Sequence, residues 1–201
     1  MKNNAELLGA SKLPVNVINM IYSSKLSKEN EVTTPKFITF TIGFLLLVLA
    51  LIADADGFII IIDHANLLFH EAGHIFFGIF GNTLGLYGGT LGQLVFPAVT
   101  ALIFLRQETL ISFATSMLWL FENFFNIARY MADARAHNLP LVGSGEHDWT
   151  RIFTRWGLLP YDTTIASLIR FLGWLGLIAT MLFVVSHWNQ YKKGHIKLLD
   201  E

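Results

Sequence analysis

The chain has 201 residues, of which 53% are hydrophobic and 14% charged, and its mean hydropathy is +0.51. A soluble domain carries about 25% charged residues, so the balance points to a membrane protein. The net charge of −1 leaves no basic footprint for nucleic acid, and the absence of cysteine excludes disulfides and thiolate metal sites, so any metal must be held by nitrogen and oxygen.

In chain order, residues 1–36 form a polar N-terminal arm with Lys2, Lys12, Lys25, Lys28 and Lys36. The arm lacks the basic start, apolar run and cleavage site of a signal peptide. Its stretch 15–22 reads either as a short surface helix or as part of a loose tail. A helical membrane domain, 37–190, follows, and a crossing needs about 20 apolar residues. Five segments meet or approach that length: 37–53, 58–80, 90–105, 110–130 and 164–188. A polar loop, 137–161, separates the last two, and 191–201 form a C-terminal tail.

The expected fold class is therefore all-α, a polytopic membrane protein of four to six transmembrane helices. Five crossings place Arg129, Arg135, Arg151 and Arg155 inside, as the positive-inside rule favours, but Lys192, Lys193 and Lys197 outside. Four crossings reverse both, with the glycine-rich segment re-entrant; the balance leans to five. That segment, 81–92, reads "GNTLGLYGGTLG". It fits a turn followed by close helix packing through Gly88 and Gly92, or an extended strip lining a cleft, where irregular backbone is tolerated at membrane depth.

The second segment contains His70, Glu71 and His74 in the pattern HExxH. Residues four apart share a helix face, so both imidazoles can reach one ion. Neutral imidazole suits zinc, and the glutamate one residue on can serve as base toward water rather than as ligand. Asp63, Asn66, His70 and His74 fall on one helical stripe. Ionisable groups inside a membrane segment face the bundle interior or a wet cavity and mark function; a polar network that only locks helices together is the plainer account.

A zinc hydrolase needs a third protein ligand and an open position. Glu122, Asn126 and Asp133 make a second polar stripe in the fourth segment, and "GEHDW" supplies His147 and Asp148. Asp133, His147 and Asp148 are the candidates for the third ligand. Each also has an ordinary role open to it: an ion pair of Asp133 with Arg129 or Arg135, or a solvated loop at "EHDW". Asn123 and Asn126 could hold a peptide carbonyl or simply bond between helices. His64, His137, His187 and His195 show no partner pattern, and the five tryptophans read as packing or interface anchors.

"HEAGH" in a hydrophobic helix, followed by a glycine-rich strip with "GG", resembles the site-2 protease clan of intramembrane metallopeptidases. The resemblance implies a single Zn2+ held by His70 and His74, with Glu71 as the catalytic base and a downstream aspartate as third ligand. By analogy that aspartate is Asp133, although the clan's asparagine-proline and aspartate-glycine pattern is absent here. The stretch 66–161 is also similar to a group of small bacterial membrane proteins. The likeness implies a metal-dependent protein of the bacterial inner (cytoplasmic) membrane, in contact with membrane lipid. The reaction expected is hydrolysis of a peptide bond in a transmembrane protein or peptide substrate. A metal-dependent lipid hydrolase and a non-catalytic metal transporter or sensor are the alternatives.

Overall fold

A computed structural model describes the backbone of residues 30–53, 59–141 and 147–199, and side chains as far as residue 194. Most of the N-terminal arm, the "DADG" turn, Glu146 and the His195 side chain lie outside the described residues. Those described are all-helical. The helices are α1 (Thr34–Ala53), α2 (Ile60–Gly78), α3 (Asn82–Arg106), α4 (Leu110–Ala132), α5 (Asp148–Trp156) and α6 (Asp162–Leu199), with a 3-10 turn at Leu159–Tyr161.

Four of them, α1, α3, α4 and α6, are long and apolar enough to cross a membrane. Their outward faces carry large bare apolar side chains such as Leu46, Phe96 and Leu182, which suits lipid and not water. The chain is thus a membrane protein. The polar stripe of α2 lowers its hydropathy below that of the four, yet Ile60, Leu68 and Ile75 on its other face are exposed. The expected alternation of faces is therefore present.

The glycine-rich strip differs from one of its two readings. From Asn82 onward it is continuous α-helix, so it is not an extended strip. Its glycines let two helices touch backbone to backbone. A Cβ on Gly73 would overlap the carbonyl of Gly88, and one on Gly85 would come within 3.1 Å of the Gly78 Cα. Gly81, at φ +113°, makes the break between α2 and α3 at a backbone angle that favours glycine.

The remaining packing follows from shape. Gly173 and Gly176 of α6 leave room for the rings of Phe121 and Phe125 and the Cβ of Phe124 on α4. Pro97 sits buried inside α3; lacking an N–H, it frees the carbonyl one turn earlier, that of Gln93. One apolar core joins α1, α4 and α6 around Phe40, Leu118, Phe125 and Leu177. A second joins Leu86 of α3 and Ile127, Ala128 and Met131 of α4 to Trp149, Ile152 and Phe153 of α5. This second core fixes the short α5 against the bundle. Gly157, at φ +69°, closes α5, with Leu158 N–H donating to Phe153 O at 2.8 Å.

Candidate metal centre

The two polar stripes face each other across α2 and α4. Asn66 donates from Nδ2 to Glu122 Oε2 at 2.7 Å and accepts from Trp119 Nε1 at 2.9 Å. Asn126 donates from Nδ2 to Asp63 Oδ1. Asp63, Asn66, Glu122 and Asn123 are all buried, and each makes at least one hydrogen bond, which lowers the cost of burying it.

The imidazoles lie on the same α2 stripe. His70 Nδ1 is 3.0 Å from Gln93 Oε1, and His74 Nδ1 is 2.7 Å from the carbonyl oxygen of Gly85. Both partners are acceptors, so each Nδ1 carries the ring proton and each Nε2 keeps its lone pair. The two Nε2 atoms lie 3.0 Å apart, and each lies 3.0 Å from Asp148 Oδ2. Among the described residues, His70, His74 and Asp148 form the one group of histidine and acidic side chains able to hold a metal ion.

The third member comes from outside the spans. Asp148 opens α5, where a carboxylate suits the helix N-terminus. Its N–H donates to Tyr130 Oη at 3.1 Å, and that hydroxyl in turn lies 3.5 Å from Asp148 Oδ2. With both Nε2 lone pairs and Asp148 Oδ2 turned to one point at 3.0 Å, three acceptor atoms converge there. The point between the three atoms therefore favours positive charge, whether a shared imidazole proton or a cation.

Three tests ask whether the residues fit a metal. A tetrahedral zinc with bonds of about 2.0–2.2 Å spaces its donors about 3.3–3.6 Å apart; the 3.0 Å spacing here needs only a few tenths of an ångström of spread. The donor set, two imidazoles and a carboxylate, is one that hydrolytic zinc uses. The third test is space. Gly89 faces both rings, and a Cβ there would overlap His70 Cε1 and Nε2 and lie 2.6 Å from His74 Nε2. Only glycine leaves the rings where they are.

The cluster opens into a cavity of about 810 Å3, whose walls include Glu71, Leu67, Leu86, Arg129, Pro140 and Arg151. Glu71 follows His70 directly on α2, at the wall of the same space.

Asp133 and His147 stand apart from this group. Asp133 follows the end of α4, and its carboxylate accepts from the N–H groups of Asn138 at 2.8 Å and Leu139 at 3.1 Å. Its Oδ2 lies 3.4 Å from His147 Nε2. His147 accepts at Nδ1 from Thr150 N–H at 3.3 Å, capping α5. Burial pushes the His147 imidazole below its ordinary value, against the pull of Asp133. The two residues hold the loop that delivers Asp148.

Gln93, Tyr130, Gly85 and Gly89 belong to the site without having been singled out from the sequence. Gln93 did carry a signal, as a lone amide in an apolar segment. The Gly85 carbonyl carried none, because a backbone acceptor has no letter of its own. No protein-family model, no curated protein and no solved structure matches the chain.

Proposed function

We propose that the chain is an integral-membrane, zinc-dependent hydrolase of the metallopeptidase kind, which cleaves a peptide bond in or near the bilayer. The observation that carries the reading is the convergence of three acceptor atoms. His70 Nε2, His74 Nε2 and Asp148 Oδ2 meet at 3.0 Å with both Nδ1 protons already committed elsewhere. Three lone pairs face to face repel unless a cation or a proton lies among them. The count of crossings that goes with this reading is five, α2 joining the four apolar helices, in a bacterial inner membrane.

His70, His74 and Asp148 would hold the ion, which when bound acidifies water and polarises a carbonyl. Glu71 takes the proton of the attacking water as the new carbon–oxygen bond forms. It then hands that proton to the amide nitrogen as the carbon–nitrogen bond breaks. Tyr130 and the α5 N-terminus keep Asp148 in place. Apolar wall residues Leu67, Leu86, Leu139, Pro140 and Leu141 suit a peptide drawn from a transmembrane segment.

Glu71→Gln tests the reading, because it keeps the shape and removes the base. Protein reconstituted in liposomes is incubated with a set of hydrophobic peptides and, in parallel, with its lipids, and products are read by mass spectrometry. The expected result is peptide cleavage by wild type, loss of turnover by about 100-fold or more in Glu71→Gln, and unchanged zinc content. Lipid products without peptide products would move the assignment to lipid ester hydrolysis. Equal cleavage by both proteins would overturn the mechanism.

A further inference from the structure

His70 Nδ1 stands at one end of a chain of side-chain hydrogen bonds whose other end is Asp63. Asp63, in the first turn of α2, is buried, and both its oxygens accept: Oδ2 from Ile59 N–H and Oδ1 from Asn126 Nδ2. With both oxygens accepting, Asp63 offers Asn126 no donor, so Asn126 turns its NH2 toward Asp63 and its carbonyl away. That carbonyl takes Gln93 Nε2 at 2.7 Å. Gln93 is then obliged to offer Oε1, not its NH2, to His70 Nδ1, 3.0 Å away. A carbonyl oxygen accepts, so the ring proton belongs on Nδ1 and the lone pair on Nε2. Each amide on its own could face either way; the carboxylate at the far end removes the choice.

We infer that Asp63, Asn126 and Gln93 act as a positioning relay that locks His70 in the Nδ1–H tautomer, the form able to ligate through Nε2. The consequence for metal binding rests on the reading above, but the tautomer itself does not. Reversed, the same chain presents the Gln93 NH2 to Nδ1. His70 then carries its proton on Nε2, where it donates to Asp148 and cannot bind an ion. His74 needs no such relay, because the Gly85 carbonyl fixes it directly. The two ligands thus differ: His74 is set by backbone, and His70 by a side-chain chain that a single substitution can reverse. Metal-ligating histidines commonly hand their second proton to a carboxylate or carbonyl; here two amides extend that link to a carboxylate on a different turn of the same helix.

The test uses full-length protein in detergent micelles, labelled with 15N-histidine, free of metal and then titrated with Zn2+. Long-range proton–nitrogen spectra report the tautomer, with the His70 signals identified by their loss in His70→Asn. Wild type is expected to show Nδ1–H. Asp63→Asn allows both amide orientations, so a mixed tautomer and a roughly 10-fold weaker zinc affinity are expected. Gln93→Met, which cuts the chain beside His70, is expected to weaken affinity about 10–100-fold and serves if Asp63→Asn does not fold.

The decisive protein is the double variant Asp63→Asn with Gln93→Glu. A carboxylate at position 93 accepts from Nδ1–H directly, Asn126 turns round, and the amide at position 63 donates to it. Tautomer and affinity should return to the wild-type values. General damage from Asp63→Asn would not be repaired by a charge at position 93. An Nε2–H tautomer in wild type, no tautomer change in either single variant, or no rescue in the double overturns the relay. Wild type in the Nδ1–H form with no zinc affinity leaves the relay standing and overturns the metal reading alone.

Discussion

Gly89→Ala places one methyl group against the metal-binding face of both imidazoles. The added Cβ would overlap His70 Cε1 and Nε2 and stand 2.6 Å from His74 Nε2. Non-bonded heavy atoms rest at about 3.5–4.0 Å, so the rings must withdraw by about 1 Å. Metal ligation tolerates about 0.2 Å. The rings cannot retreat freely, since their Nδ1 atoms are bonded to Gln93 and to the Gly85 carbonyl. The expected loss is at least about 100-fold in zinc affinity, or about 2.8 kcal/mol at 1.4 kcal/mol per decade. Overpacking adds a fold cost of about 1–3 kcal/mol, so affinity must be measured on protein whose helicity and monodispersity match wild type. Competition with a chromophoric chelator gives the affinity, and Gly43→Ala, with nothing within 4 Å of its Cβ, is the control. Wild-type zinc affinity in a folded Gly89→Ala protein would refute the placement of the ion between His70, His74 and Asp148.

Other substitutions separate site from scaffold. Asp148→Asn keeps the shape of the third ligand but removes its charge, and is expected to bring bound zinc to background by elemental analysis. Asp133→Asn should retain zinc, because that carboxylate serves the loop amides of Asn138 and Leu139; the opposite pattern would move the third ligand to Asp133. Chelator should lower the melting midpoint of wild type, since an ion at 100 times its dissociation constant stabilises by about 2.7 kcal/mol. The same chelator should leave the midpoint of Asp148→Asn unmoved. Gly176→Ala forces a Cβ into the Phe121 ring and should cost about 1–3 kcal/mol of stability, read as a lower midpoint in detergent, with zinc retained. An unshifted midpoint would mean that α4 and α6 pack more loosely than described.

What was legible in the sequence, and what was not, divides along a physical line. The helical class and the inward stripe of α2 were legible because hydropathy and the 3.6-residue period act locally. Asp63, Asn66 and His70 fall on one face whatever they pack against, and all three are buried. HExxH placed two donors within one helix turn for the same reason. Choosing among Asp133, His147 and Asp148 needed information of another kind, because all three follow α4 in one polar region and differ only in where a loop folds. The choice turns on the apolar contacts of Trp149, Ile152 and Phe153 with Ile127, Ala128 and Met131. Those contacts seat α5 so that its first residue points at the imidazoles. Its neighbour His147 caps the helix, and Asp133 ties down the preceding turn.

The glycine strip shows the same division in reverse. "GG" was noticed as a feature of backbone approach, and Gly88 does meet Gly73 in that way. Gly89, the next letter, serves a different purpose, since its missing Cβ is space for two imidazoles and for whatever they hold. Nothing in the string separates the two roles. They part only because successive residues on a helix point about 100° apart, one toward the α2 backbone and the other toward its histidines. A close helix pair and an open coordination face are therefore built from adjacent glycines. This makes the pair a sharp experiment: alanine at position 88 should disturb the α2–α3 contact, and alanine at position 89 the site.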